Sequence, residues 1–292
     1  MTAANNPRGQ GPEEATATMG AMGDVSDMSD MRWRHETVDV LGVRVSVADM
    51  PLLLRLMSEA VTRRRQLTIT FANPNYVMAA QKDEQLRDLM NAFDVNLADG
   101  WGVVLAARIF GKPLPTRMAN DDITDGIFGL PAERGWRVYL FGSAPGVADQ
   151  AARNLAEWYP GLNVVGTEHG YWDVERGHPG KFDPDDVERI VKDINAAKPD
   201  ILHVGVPTPL QQIFVTENRD RLDVPVIITG GSYLDHLAER RHWFPPWVIK
   251  MRVGWLYRLS RDPRRLWHRY SVELADYLFR VARYRLTHGK QR

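Results

Sequence analysis

Hydrophobic and polar positions along most of the chain predict strands that alternate with helices. Short apolar runs that end in glycine or small polar residues are typical of buried strands, and apolar residues three and four positions apart indicate helices. The strands are predicted at Leu67–Phe71, Val95–Leu97, Trp136–Phe141, Leu162–Val165, Asp200–Val206 and Val224–Thr229. The helices are predicted at Val47–Arg63, starting at Asp49 or Pro51, and at Val77–Ala92, Asp121–Phe128, Val147–Trp158 and Pro184–Ala197.

This order of elements predicts an α/β fold with a Rossmann-like, mostly parallel sheet and helices on both faces. An alternating segment with a central glycine, Thr37–Val47, predicts a hairpin ahead of the sheet. Small or polar residues follow each predicted strand. The strand exits are therefore expected to line one crevice, where open α/β sheets bind their ligands.

The chain divides into three predicted parts. Residues 1–32 are rich in Ala, Gly, Met, Asp and Ser without a period that would bury a face, and we expect them to be disordered. Residues 33–239 hold the α/β pattern. Residues 240–292 change in character: proline interrupts them, arginine and tryptophan are interleaved, and Ser271–Leu286 has the pattern of a helix.

The formal net charge of zero hides an asymmetry. Residues 240–292 carry 14 Lys or Arg against 3 Asp or Glu, and the remainder of the chain carries 23 against 34. A basic, aromatic segment favours an anionic partner, either nucleic acid or an anionic membrane surface. No nucleic-acid-reading motif is present, so a nucleic-acid partner is not expected. The alternative is that the aromatic residues pack on the core while the arginines face water.

Composition narrows the class of protein. Without cysteines the chain has neither disulfides nor thiolate metal sites, which suits a reducing compartment. No run approaches the roughly 18 apolar residues that a membrane-spanning helix needs, and the N-terminus has no apolar signal core. We therefore expect a cytoplasmic protein.

Three polar loops between residues 68 and 122 supply candidate chemistry. Asn73 follows the first strand, Asp99 follows the second and precedes Gly100, and Arg117 lies in a proline-rich turn. An amide, a carboxylate and a positively charged guanidinium would thus converge at strand exits. An aspartate before glycine is also a common turn residue, so its spacing alone leaves both interpretations open. Asp121 and Asp122 are interpreted as helix N-terminal residues rather than metal ligands.

Two glycine-bearing loops are candidates for holding phosphate groups. Gly142 and Ser143 follow the strand RVYLF, and Gly230 and Gly231 follow VPVIIT. Backbone N–H groups in such loops cradle diphosphates, although a plain strand-to-helix turn has the same composition. The chain has neither GxGxxG nor GxxxxGK[ST], so a nicotinamide cofactor or a P-loop is not supported. No cofactor is expected.

Several motifs resemble one family. TxNPxxV, ADGWGVVLAAR and GxPLPxR resemble the bacterial WecG/TagA/CpsF glycosyltransferases over about Val38–Tyr270. The resemblance implies transfer of a hexosyl unit from a UDP-sugar to a sugar on undecaprenyl diphosphate, with inversion and without metal, in cell-surface or exopolysaccharide synthesis. It also implies that Asp99 is the base and that Thr70, Asn73 and Gln211 bind substrate. Arg117 and the tail arginines are the candidate cations for the diphosphate.

The resemblance extends to the basic tail. Arg258, Arg265 and Arg269 match the family's basic positions for diphosphate or lipid binding. The tail would close over the active site while resting on the anionic inner face of the cell membrane, which implies a peripheral protein. The family tends to self-associate, so a homo-oligomer is a further expectation.

Departures from the family pattern leave the donor sugar open. The family's PKQE appears as Pro209, Leu210, Gln211 and Gln212, a glutamate before a tail tryptophan appears as Gly254, and a glycine appears as Asn120. N-acetylmannosamine, glucose or a related hexose therefore all remain candidates. Because the lysine and glutamate of PKQE are missing, an alternative class of protein also remains open, a nonenzymatic module that binds UDP or a lipid surface.

Overall fold

The computed structural model describes residues 33–170, 183–242, 248, 251, 254–261 and 274–288. The predicted disorder of residues 1–32, and the tail residues Arg265 and Arg269, lie outside this range.

A β-hairpin opens the described chain, as the alternation predicts. Strands β1 (Thr37–Val40) and β2 (Val43–Ser46) pair antiparallel. Leu41 and Gly42 connect them with φ angles of 56° and 86°, which give the left-handed turn that matches the strand twist. The hairpin lies against the sheet edge, where the Asn96 N–H donates to the Ser46 hydroxyl at 3.0 Å.

A six-stranded, fully parallel sheet forms the centre of the molecule, which confirms the predicted fold class. Its order is β4-β3-β8-β7-β5-β6. The strands are β3 (Leu67–Ala72), β4 (Val95–Ala98), β5 (Arg137–Gly142), β6 (Asn163–Glu168), β7 (Ile201–Gly205) and β8 (Val226–Thr229).

Helices cover both faces of the sheet. They are α1 (Met50–Arg63), α2 (Pro74–Ala80), α3 (Glu84–Asn91), α4 (Trp101–Ile109), α5 (Asn120–Arg134), α6 (Val147–Trp158), α7 (Pro184–Ala197), α8 (Leu210–Glu217), α9 (Tyr233–Glu239), α10 (Gly254–Arg261) and α11 (Leu274–His288). Helices α1, α5, α6 and α9 pack on one face, and α2, α3, α4, α7 and α8 pack on the other.

The alternation within β3 shows how the sequence sorts side chains between these faces. Leu67, Ile69 and Phe71 join the core under α1 and α5, whereas Ala72 belongs to the core under α2 and α4. Successive strand residues point to opposite faces of the sheet, so the side chains of one strand contribute to the hydrophobic cores on both sides. Burial on both faces explains why the strands are nearly continuous apolar runs.

The single helix predicted at Val77–Ala92 is wrong, because the chain forms α2 and α3 instead. The Asp83 carboxylate accepts a hydrogen bond from the Leu86 N–H at 3.1 Å and so caps a new helix. An aspartate whose side chain accepts from free backbone N–H groups can begin a new helix within a stretch that periodicity alone assigns to one helix. Asp49 likewise caps α1, and α8 and α9 are additional helices that periodicity did not predict.

Helix α11 packs on the α/β body through aromatic and β-branched residues. Tyr277 and Val281 are fully buried in the core that α2, α4 and the hairpin share. The Tyr277 hydroxyl donates to the Gly102 carbonyl at 3.3 Å. For these residues the structure agrees with the alternative in which tail aromatics pack on the core.

Candidate active site

The carboxyl ends of all six parallel strands lie along one edge of the sheet. The loops that leave this edge contain Asn73, Asp99, Ser143, Gly230 and Gly231. Of the other predicted body residues, Thr70 lies within β3, Gly142 ends β5, Arg117 follows α4, and Gln211 is in α8. Backbone contacts bring the Arg117 segment to the same edge, because the Met118 N–H donates to the carbonyl of Ala98, the last residue of β4, at 2.9 Å.

Asp99 occupies the first position after β4. Its N–H donates to the Ala72 carbonyl at 2.8 Å, which joins the β4 exit to the β3 exit. Gly100 has a φ of 112°, and α4 begins at the next residue. The carboxylate is half-buried, so it is held at a strand exit while remaining accessible.

Arg117 is a cation that interacts electrostatically with this acid. Its guanidinium donates to Asp122 Oδ1 at 2.6 Å, and both side chains are mostly buried. Burial acts against the charge, but the bond to Asp122 and the fields of Asp122, Asp99 and Asp121 outweigh it and raise the pKa of Arg117. The arginine therefore stays charged beside Asp99.

Asp122 has two structural contacts, which agrees with the interpretation of Asp121 and Asp122 as helix N-terminal residues. While Oδ1 accepts from Arg117, Oδ2 accepts from the Ala119 N–H at 3.0 Å at the start of α5. A carboxylate at the third position of a helix that accepts from the N-cap N–H forms one half of a capping box. The same group therefore fixes the helix start and the arginine.

Asn73 caps α2 directly after β3. Its Oδ1 accepts from the Tyr76 N–H at 3.1 Å. The side chain is half-buried, with one amide atom committed to the cap. This cap orients Asn73 at the exit next to Asp99.

Gln211 fastens two loops together. Its Oε1 accepts from the N–H groups of Gly230 and Gly231 at 3.1 and 2.8 Å, and its Nε2 donates to the Thr208 hydroxyl at 3.1 Å. The two glycine N–H groups that were predicted to hold phosphate are thus engaged by an amide oxygen. Gln211 accordingly orders the turn after β8.

Thr70 belongs to a fully buried polar layer rather than to the accessible surface. Its hydroxyl accepts from Gln212 Nε2 at 3.2 Å and bonds to the Thr229 hydroxyl at 2.9 Å. Asn96 lies beside Thr70 in the strand register. Neither amide atom of the Asn96 side chain, nor Gln212 Oε1, has a hydrogen-bond partner in the part of the chain that the structure describes.

Ser143 connects the loop after β5 to helix α9. Its hydroxyl donates to Asp235 Oδ2 on α9 at 3.0 Å. Gly142 has a φ of 136°, and a Cβ there would lie 2.3 Å from the backbone of Gly205. Close approach of β5 and β7 therefore requires this glycine, independently of any ligand.

An aromatic cluster supports the Gly230 turn from below. The His203 ring is stacked with Phe128 and near Tyr233, and a Cβ on Gly230 would lie 2.2 Å from His203 Cε1. Complete burial lowers the pKa of His203 to about 4. A neutral His203 therefore packs directly against the turn at Gly230.

Sequence patterns missed several residues at this edge. Gln212, Asp235 and His203 carry no motif of their own, and only the position of His203 within a strand pattern hinted at its burial. Asn120 was noted only as a departure, yet its Nδ2 donates to the Gly230 carbonyl at 3.3 Å. These residues matter through contacts between distant loops, which one-dimensional spacing does not reveal.

The tail residues are less fully described. Arg258 lies in α10, but its side chain is outside the description, as are Arg265 and Arg269 altogether. Within the described ranges, no group of three or more histidines and carboxylates is arranged to hold a metal ion. Likewise, none of the helices that the structure describes is both long and apolar enough to span a bilayer.

A parallel sheet whose carboxyl edge gathers an acid, a cation, amides and glycine turns defines a Rossmann-like α/β protein with a candidate ligand site at that edge. The chain belongs to the glycosyl transferase WecG/TagA/CpsF family, whose model matches residues 38–291. This confirms the resemblance that the motifs indicated.

Curated relatives support this assignment at moderate identity, and each is named an N-acetylglucosaminyldiphosphoundecaprenol N-acetyl-beta-D-mannosaminyltransferase. The Bacillus subtilis (strain 168) protein is 27% identical over 201 residues, covering 69% of this chain and 73% of the relative. The Bacillus spizizenii (strain ATCC 23059 / NRRL B-14472 / W23) protein is 25% identical over 222 residues, with 76% and 81% covered. The Staphylococcus aureus (strain MW2) protein is 26% identical over 258 residues, with 87% and 96% covered.

Proposed function

We propose that the protein transfers a hexosyl unit from a UDP-sugar to a sugar carried on undecaprenyl diphosphate, with inversion at the anomeric carbon. The family assignment and the names of the relatives support the reaction class and the lipid-linked acceptor. The observation that carries the proposal is the half-buried Asp99 at the β4 exit, beside the charged Arg117.

Asp99 acts as the general base. It removes the proton from an acceptor hydroxyl while that oxygen forms a bond to the anomeric carbon, and the bond from this carbon to UDP breaks. The electron pair leaves with UDP, whose added charge needs donors or cations. The neighbouring Arg117 is a charged group beside this carboxylate, where it meets the charge that develops on the leaving diphosphate.

UDP binds along the loops that follow β5 and β8. Ser143, Gly142, Gly230 and Gly231 surround this part of the edge, and the Ser143–Asp235 bond holds the two loops in register. Arg117 and the tail arginines Arg258, Arg265 and Arg269 balance the diphosphate charge, which allows transfer without a metal. Asn73 and Gln211 bind sugar hydroxyls, and Thr70 supports them from the buried layer.

The acceptor places the protein at the inner face of the cell membrane. An undecaprenyl chain stays in the bilayer, so the enzyme meets it as a peripheral protein through the basic tail of residues 240–292. The α/β domain of residues 33–239 performs the chemistry, and self-association of the chain completes the proposed organisation.

A donor panel tests the proposal. Purified protein is mixed with N-acetylglucosaminyl diphosphate on a short prenyl chain, and UDP release is measured for UDP-N-acetylmannosamine, UDP-glucose and related donors. At least one donor is expected to be consumed. UDP binding without turnover on every donor would instead indicate a nonenzymatic UDP-binding module.

A further inference from the structure

The side chain of Asn120 bridges two segments at the carboxyl edge of the sheet. Asn120 is the first residue of α5, and its Nδ2 donates to the Gly230 carbonyl, directly after β8, at 3.3 Å. Two residues earlier, the Met118 N–H donates to the Ala98 carbonyl at the end of β4. In the sheet order, β3 lies between β4 and β8. Asn120 therefore spans the part of the edge between the Arg117 segment and the glycine turn.

Other contacts hold both ends of this bridge in place. The Gly230 N–H donates to the Val204 carbonyl at 2.8 Å, which anchors the turn to β7. At the other end, the Asp122 carboxylate accepts from the Ala119 N–H at 3.0 Å, which fixes the start of α5. The carboxamide of Asn120 is therefore held at one position relative to both segments.

The carboxamide oxygen of Asn120 is an acceptor that the rest of the described chain does not use. Only the nitrogen of an amide can donate to the Gly230 carbonyl, so this contact fixes which atom is Oδ1. Oδ1 is buried and has no hydrogen-bond partner among the residues that the structure describes. A buried acceptor without a partner is costly, so a ligand hydroxyl that meets Oδ1 after a small rotation of the carboxamide makes a bond that the free protein lacks.

One of the two glycines in the turn faces open space. A Cβ on Gly230 would lie 2.2 Å from His203 Cε1, whereas a Cβ on Gly231 would meet no described atom within 4 Å. The turn is thus packed against the protein at Gly230 and open at Gly231. A ligand can therefore lie against this turn, next to the contact that Asn120 makes.

The proposed transfer places the donor sugar beside Asn120. The diphosphate lies between the Arg117 guanidinium and the glycine turn, and Asp99 takes the proton of the hydroxyl that attacks the anomeric carbon. The ring carbon C2 is bonded to the anomeric carbon, so its substituent lies next to the groups that hold the diphosphate. Asn120 joins two of these groups and therefore borders the substituent on C2.

The asparagine side chain has the size of the group that it would exclude. It consists of a methylene and a carboxamide, and the acetamido group of an N-acetylated sugar has the same heavy atoms in reverse order. Glycine, which the family pattern has at this position, would leave that volume empty. A hydroxyl on C2 fits beside the carboxamide and donates to Oδ1, whereas an acetamido group needs the volume that Asn120 fills.

We propose that Asn120 is a specificity residue that selects a UDP-hexose with a free hydroxyl on C2 over a UDP-N-acetylhexosamine. The inference rests on the proposed function and narrows the donor that the proposed function leaves open. The donor of this chain would then differ from the N-acetylmannosaminyl group in the names of its relatives.

Binding of matched nucleotide sugars tests the inference. UDP-glucose and UDP-N-acetylglucosamine differ only at C2, the same pairs are measured in the galacto and manno series, and UDP alone reports the contacts that all donors share. In at least one series, the wild type should bind the 2-hydroxyl donor roughly 10-fold or more tightly than its N-acetylated counterpart. Asn120→Ala and Asn120→Gly should remove most of this preference and leave the affinity for UDP unchanged.

The matched control is Glu133→Ala, at an exposed position near the other end of α5, which should keep the wild-type preference. Thermal unfolding of each variant reports stability separately from donor choice. If Asn120→Ala lowered the unfolding temperature and kept the wild-type ratio of affinities, Asn120 would be only a structural bridge and the inference would be wrong. A wild type that binds every N-acetylated donor as tightly as its counterpart would also overturn it.

Turnover separates this inference from the proposed function. With N-acetylglucosaminyl diphosphate on a short prenyl chain as acceptor, Asn120→Gly should raise kcat/KM for the N-acetylated donor roughly 10-fold relative to the 2-hydroxyl donor. If no donor is turned over, the proposed function fails, while the affinity ratio and its response to Asn120→Ala still decide the role of Asn120. A wild type that turns over donors but binds or uses both classes equally refutes the inference alone, and one that binds no UDP-sugar overturns both.

Discussion

The carboxamide oxygen of Gln211 lies 2.8 Å from the backbone nitrogen of Gly231 and accepts its hydrogen bond. The same oxygen accepts from Gly230, so one side chain of α8 holds the turn that follows β8. A residue placed at the site by resemblance thus acts first on the protein itself. Its contribution to sugar binding depends on the order that it imposes on this turn.

Replacing Gln211 should affect stability and activity together. Gln211→Ala leaves the Gly231 N–H without its acceptor, while the Gly230 N–H keeps its bond to the Val204 carbonyl at 2.8 Å. This should cost about 1–3 kcal/mol of unfolding free energy. Gln211→Glu keeps an acceptor oxygen and should recover much of that stability, but its charge should repel the UDP diphosphate. Urea unfolding and UDP titration separate the effects, and Glu157→Ala, at an exposed position of α6, is the control. Equal stability of the alanine variant and the wild type would contradict the clamp.

Asp99→Asn should remove the proposed base and keep the hydrogen bond from the backbone N–H of residue 99 to the Ala72 carbonyl. Turnover should fall roughly 100-fold or more. UDP binding and thermal stability should remain as in the wild type. Asp88→Asn, an exposed acid on α3, is the matched control and should keep full turnover. Undiminished UDP release by Asp99→Asn would remove the base assignment.

Arg117 and Asp122 should behave as a coupled pair. Arg117→Gln should lower kcat/KM by roughly 10-fold or more because the leaving diphosphate loses a cation. Asp122→Asn should lower it less, since it only loosens the arginine and the start of α5. A double-mutant cycle on kcat/KM should show a coupling of about 1 kcal/mol or more. Strict additivity would mean that Asp122 does not position Arg117.

Acid should destabilise the fold through His203. Burial lowers its folded pKa to about 4, whereas an unfolded histidine titrates near 6.5. The unfolded chain therefore binds the proton first as the pH falls, so this stability is present above about 6.5 and is lost between about 6.5 and 4. The loss should reach about 3 kcal/mol for one site.

His203→Leu tests this pH dependence by urea unfolding at several pH values. The variant should show a shallower decline between pH 6.5 and 4. Some slope should persist, because burial also lowers the pKa of His236 to about 4. An unchanged slope would show that His203 does not control the acid limb.

Tyr277 tests whether α11 packs on the body in solution. Tyr277→Ala empties a fully buried site and should cost about 3–5 kcal/mol of unfolding free energy. Tyr277→Phe removes only the hydrogen bond to Gly102 and should cost about 1 kcal/mol. Urea unfolding measures both variants. If Tyr277→Ala lost less than about 1 kcal/mol, α11 would not pack against α4 in solution.

Short-range patterns predicted the scaffold well for a physical reason. A strand buried on both faces must be apolar throughout, and its exit must turn sharply, so runs such as Leu67–Phe71 followed by Asn73 and Pro74 identify a strand and its loop. The same local rules failed at Val77–Ala92. There the choice between one helix and two depended on whether Asp83 turned its carboxylate to the backbone.

By itself, the sequence determined the alternating strands and helices, the parallel sheet, the family and the position of Asp99 at a strand exit, because periodicity and turn residues are local properties. Only the tertiary structure decided that Gln211 engages the glycine turn, that Asp122 holds Arg117, and that α11 packs beside α4. Each of these contacts joins residues whose side-chain directions depend on how separate elements pack. Hydrogen-bond partners and burial are set by that packing, and no spacing along the chain encodes them alone.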